Sequence, residues 1–179
     1  PNRMTTEQPA PNNPFISRTQ VETHLREALM DRGVANLGSL PPQENTGSPS
    51  PLEHRLIKAA ILPEPEILDI LSAFTGLPRL NLMESPIDTA VVDIVPPALV
   101  AHSNMMPLRF DEESVVMATD HVPDVADEDR LRLLLERNVQ FELGEQAEIR
   151  ECIAHYYGIG LQSFLGMSTA SAINPQKTT

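Results

Sequence analysis

The stretch from Met105 to Gly158 constrains this chain's fold most. It holds two short apolar runs, MMPLRF and SVVMATD, then DVADEDRLRLLLERN with leucines at helical spacing. VQFEL follows, and then EQAEIRECIAHYYG, an amphipathic helix pattern that stops at a glycine. The order is strand, strand, helix, strand, helix. Met106–Phe110 and Ser114–Thr119 are the first strands, joined by Asp-Glu-Glu. Val115 to Ala118 are consecutive apolar residues, which suits a strand covered on both faces. Asp124 or Asp127 caps the helix, and Asn138 suits its end. A strand, a crossover helix and a returning strand imply that Val139–Leu143 runs parallel to the second strand. Leu134, Leu135, Val116, Ile149 and Ile153 are predicted to share one buried cluster. The fold class is α/β (α+β): N-terminal helices packed on a small three-layer-type domain, with a short mixed sheet and a strand-helix-strand-helix ending.

Seventeen prolines, unevenly spread, draw the boundaries. Residues 1–15 are rich in Pro, Asn and Thr and read as a disordered tail, and 161–179 as a flexible one. Residues 39–51, with SLPPQENTGSPSP, read as a Pro/Ser/Gly linker. Before it, 16–38 form an N-terminal helical unit. Ser17 is its N-cap candidate and Gly33 its C′ residue, with a stripe of Val21, Leu25, Ala28 and Leu29. That stripe fits a groove on its own domain or on a partner, so Val21, Leu25 and Leu29 are partner-docking candidates. Thr19 to Arg32 is expected to be separable. After the linker, 52–160 form the main domain. Within it, 52–82 make a helical hairpin: Leu52–Ala60, then a helix opened by Pro63 and ended by Gly76 and Pro78. Residues 83–160 make the α/β core, starting with short helices around Thr89–Val92 and from Pro96–Pro97 to His102.

Charge and chemistry exclude more than they assign. The formal net charge is −12 with only Lys58 and Lys177 as lysines, so bulk attraction to nucleic acid or anionic lipid is not expected. Aromatics are 4% and Trp is absent, so the core must be aliphatic. The single cysteine, Cys152, excludes an internal disulfide and reads as a buried small residue. No apolar run approaches the ~20 residues of a membrane span, and the polar start does not read as a secretory signal. A phosphate loop, GxxxxGK[ST], is missing, as is a GxSxG elbow, so no catalytic residue is named. His24, His54, His102, His121 and His155 do not pair at i+3 or i+4. Zinc would need three or four convergent ligands, so they read as surface or helix-end residues and no metal is expected. The acidic residues Asp120, Asp124, Asp127, Glu128 and Asp129 lack calcium-loop spacing and read as a capped, solvated helix start. No cofactor is expected.

Several pieces of the chain together resemble the N-terminal domain of the type II secretion and type IV pilus assembly ATPases, the general secretion pathway protein E family. They are Gly76-Leu77-Pro78 after a helical hairpin, Val95-Pro96-Pro97-Ala98-Leu99-Val100 leading to Met106-Pro107-Leu108, Val115-Val116-Met117-Ala118-Thr119-Asp120, and Glu148-Ile149 to Tyr156-Tyr157-Gly158. The resemblance covers about Leu52 to Gly158. It implies a non-catalytic regulatory and docking domain, placed before its own ATPase domain. The implied partner is the cytoplasmic domain of an inner-membrane secretion or pilus platform protein. The implied location is cytoplasmic and peripheral to that membrane through the partner, with no direct insertion. An alternative is the same domain joined to another catalytic region, such as a glycosyltransferase or a response regulator. A second alternative is a cyclic di-GMP receptor, since some members bind that nucleotide through paired motifs RLGxxLVxxG…LxxxLxxQ. In this chain Pro51, Glu53, Ala60 and Phe74 stand at the arginine, first glycine, second glycine and glutamine of one copy. His24-Leu25-Arg26 opens the other, which keeps Gly33. His24, Arg26 and Arg55 remain as nucleotide-contact candidates, and a carboxylate at Glu53 would repel two phosphates.

Overall fold

In the computed structural model of the chain, residues 16–34 and 50–158 are described. The expected tails at 1–15 and 161–179, and the linker except for its last two residues, lie outside the described residues. Seven helices and three strands follow in order: α1 (Arg18–Asp31), α2 (Leu52–Lys58), α3 (Glu64–Thr75), α4 (Thr89–Ile94), α5 (Pro97–Ser103), β1 (Met106–Asp111), β2 (Ser114–Thr119), α6 (Val125–Leu135), β3 (Asn138–Leu143) and α7 (Gln146–Tyr157). The fold class agrees with the sequence reading.

The helix ends follow from local chemistry. Ser17 accepts from the Gln20 amide while Gln20 Oε1 accepts from the Ser17 amide, a reciprocal capping box at the start of α1. Gly33 follows with φ +76°. Proline opens α3 and α5, and Gly76 closes α3 in the left-handed region at φ +76°. Asp124 caps α6 through the Asp127 amide. α6 ends at Glu136, with φ +51°, two residues before the expected Asn138.

The sheet has the order β1-β2-β3. β1 pairs antiparallel with β2, with a register shift between Pro107 and Arg109, and β2 pairs parallel with β3 from Ser114↔Asn138 to Thr119↔Leu143. The central position of β2 explains its apolar run: Val115, Val116, Met117 and Ala118 are all buried. The backbone just after α3 covers the far edge of β3, where Leu80 N donates to Leu143 O and Leu143 N to Pro78 O at 2.9 and 2.8 Å.

One apolar core joins all of this. It contains Val21, Leu25 and Leu29 of α1, Leu52 and Leu56 of α2, Ile67 and Leu71 of α3, the sheet, and Ile149 and Ile153 of α7. Of the predicted cluster, Leu135, Val116, Ile149 and Ile153 are buried. Leu134 is not: it is 57% exposed. α6 presents the Leu131–Leu135 edge to the sheet, and Leu134 lies ~100° of helix away from Leu135 on the other side of Leu131. Cys152 is buried, as expected, and Tyr157 donates to Val92 O at 3.1 Å, fastening the end of α7 to α4.

Candidate functional site

The carboxyl ends of the parallel strands β2 and β3 carry a buried polar cluster. In open α/β sheets this end, where the chain leaves the strands, is where functional groups gather. β2 ends at Thr119, and Asp120 and His121 follow at once. Asp120 is fully buried. Its Oδ1 lies 2.7 Å from His121 Nδ1 and 3.0 Å from His54 Nε2 of α2. Its Oδ2 accepts from Gln146 Nε2 at 3.0 Å, at the start of α7, and from Asn104 Nδ2 at 3.2 Å, at the end of α5. Asn104 adopts φ +53° there. Four separate segments thus meet on one carboxylate.

The electrostatics follow from that geometry. Burial alone would push the Asp120 carboxyl up, but His121 and His54 outweigh it and hold it well below the usual carboxylate range. Burial would lower His54, yet the Asp120 carboxylate raises it above its ordinary value. His54 Nε2 is shielded from solvent, but it is not aligned with a hydrogen-bond acceptor despite its closeness to Asp120. The two imidazoles meet edge to face, their centroids 5.4 Å apart. Ligand atoms of His54, Asp120 and His121 all lie within 4.8 Å of one another. The cluster borders a cleft of about 510 Å³ between α1, α2, α5 and α6, which Arg18, His102, Asp124 and Arg130 also line.

His102 and His155 do lie in the last turns of α5 and α7, but these findings correct the reading of His54 and His121 as surface or helix-end groups, and of Asp120 as solvated. Their spacing in sequence carried no signal because the convergence is made through space. A signal did exist in Asp-His placed directly after a fully apolar strand.

A second polar junction lies nearby. Arg18 of α1 donates to Glu53 Oε1 and Oε2 at 2.8 and 2.6 Å and to Val122 O at 3.0 Å. Glu53 is fully buried, and Arg18 holds its carboxyl below the ordinary value although burial opposes this.

The nucleotide-contact candidates occupy different settings. His24 stacks on Phe74 of α3, with centroids 4.0 Å apart and planes within 9°. Arg26 is half-buried on α1 and Arg55 half-buried on α2. Ala60, at the second glycine position, keeps the left-handed backbone at φ +53°, as Gly33 does in the other copy. The docking candidates Val21, Leu25 and Leu29 are buried against the domain rather than exposed, so an interaction through them requires α1 to leave its seat.

Comparison with known proteins places this arrangement. Residues 75–163 match the model of the MshEN domain. The chain is 25% identical over 114 residues to the type IV pilus assembly ATPase PilB of Myxococcus xanthus (strain DK1622). That alignment covers 62% of this chain and 20% of PilB, so the chain spans about a fifth of that relative's length. A solved structure of MshE with c-di-GMP is similar at a TM-score of 0.60 and 20% identity, covering 74% of this chain and 98% of that one. The N-terminal domain of XpsE is similar at a TM-score of 0.59 and 18% identity, covering 74% and 93%. Both support the fold.

Proposed function

We infer, from a chain whose residues 75–163 belong to the MshEN family of N-terminal domains of type II secretion and type IV pilus assembly ATPases, that it is a regulatory and docking domain. It carries no chemistry of its own and connects a downstream motor to the cytoplasmic domain of an inner-membrane platform protein. The observation that carries this reading is the family match, which lies over the α/β core and not over a phosphate loop. In a secretion or pilus motor that contains this chain, removal of residues 1–160 is expected to leave basal ATP turnover and abolish recruitment to the platform protein. Recruitment that survives the deletion refutes the docking role.

The structure of MshE with c-di-GMP raises a receptor reading. Here the motif positions are engaged internally: Glu53 by Arg18, and Phe74 by His24. Calorimetric titration with c-di-GMP is expected to give no binding heat. Stoichiometric heat would favour the receptor.

A further inference from the structure

We propose that His54, Asp120 and His121 form a binding site for a zinc-class divalent cation, seated at the carboxyl end of β2. Two imidazole nitrogens and one carboxylate oxygen are the donor set that zinc takes with three protein ligands and an open fourth position. The three side chains already converge. Asp120 Oδ1 is 2.7 Å and 3.0 Å from the two ring nitrogens, and all three donor atoms fall within 4.8 Å. With metal–ligand bonds of about 2.0–2.2 Å, the edges of a tetrahedron are roughly 3.4 Å, so small side-chain rotations suffice.

Three features separate this trio from a surface cluster. Asp120 is fully buried, and its Oδ2 is held by Gln146 and Asn104, which orient the carboxylate and leave Oδ1 facing the imidazoles. His54 Nε2 is shielded from solvent and lies 3.0 Å from Asp120 Oδ1 without an aligned hydrogen bond, so loss of its proton to an incoming ion leaves a ring nitrogen already beside the carboxylate. The adjoining cleft of about 510 Å³ supplies an entry path and room for a fourth ligand. Bound there, the ion would take the place of the N–H protons that now face Asp120 and would fasten α2 to the β2–α6 loop.

The test uses the 179-residue chain without a histidine tag, stripped by chelator. It is titrated with Zn²⁺ by calorimetry and with Co²⁺ by visible absorption. The expected result is one equivalent of either ion, intense tetrahedral Co²⁺ bands and a higher Tm with Zn²⁺. His54→Ala and His121→Asn should each abolish the Co²⁺ bands. Gln146→Leu, which removes only a donor to Asp120, should weaken Zn²⁺ about 10–100-fold. If a histidine variant unfolds, the Gln146→Leu shift and the wild-type stoichiometry decide alone. No stoichiometric binding, or unchanged affinity in a folded His54→Ala/His121→Asn variant, overturns the site and leaves a hydrogen-bonded clasp only.

Discussion

Arg18→Ala should be among the most damaging single changes in the chain, although Arg18 lies at the first residue of the first helix. Arg18 makes two charge-assisted bonds to Glu53 and one to the Val122 carbonyl. Its removal leaves Glu53, fully buried, without its ionic partner and held only by backbone amides such as that of Val122 at 3.4 Å. Breaking a buried ion pair from one side costs about 3–5 kcal/mol. Protonation caps that cost. Neutralising a carboxyl of ordinary pKa near 4.3 at pH 7 takes about 3.7 kcal/mol at 1.36 kcal/mol per unit. The expected loss is therefore ~3–4 kcal/mol. Glu53→Gln should cost less, ~1–2 kcal/mol, because Arg18 is partly exposed and its charge can turn to water. Replacing both by apolar residues, Arg18→Met with Glu53→Leu, should recover most of the loss. Urea unfolding at pH 7 of the wild type and these three variants measures the three differences. If Arg18→Ala costs under ~0.5 kcal/mol, as surface changes do, the pair does not hold α1 and the reasoning fails.

Other perturbations follow from single residues. Leu135→Ala should lose ~2–5 kcal/mol, as truncation of a buried leucine does, while exposed Leu134→Ala stays within ~0.5 kcal/mol; denaturant melts compare them. Ala60→Gly should stabilise by about 1 kcal/mol, since an alanine at φ +53° bears strain that glycine does not, less the extra freedom glycine gives the unfolded chain. Tyr157, raised by burial and then by Asp93 from about 10 to about 12, must stay protonated to donate to Val92. A raised folded pKa means that its contribution is complete below pH 10 and is lost as pH rises towards 12. Tyr157→Phe should therefore erase that alkaline loss in melts taken between pH 9 and 12.

Much of the fold was legible because each element obeys a local rule. The four-residue apolar run of β2 announced a central strand, Pro and Gly marked the ends of α3, and the stripe of α1 named Val21, Leu25 and Leu29 as an apolar face. Whether that face met the domain or a partner was not legible. The choice is made by Arg18 reaching Glu53, 35 residues away, and by His24 stacking on Phe74. Leu134 misled because leucines at 131, 134 and 135 all satisfy helical spacing, and only the sheet's position selects among them. The candidate site was hidden for a related reason: His54 and Asp120 meet only once α2 packs beside the end of β2, and no spacing along the chain encodes that contact.

The central claim is that this chain recruits rather than catalyses. The direct measurement is calorimetric titration of the purified 179-residue chain with the cytoplasmic domain of the platform protein from the same organism, with ATP turnover followed on the chain alone. The account predicts saturable one-to-one binding and no hydrolysis. ATP turnover that persists through purification, or no binding between two folded partners, contradicts it.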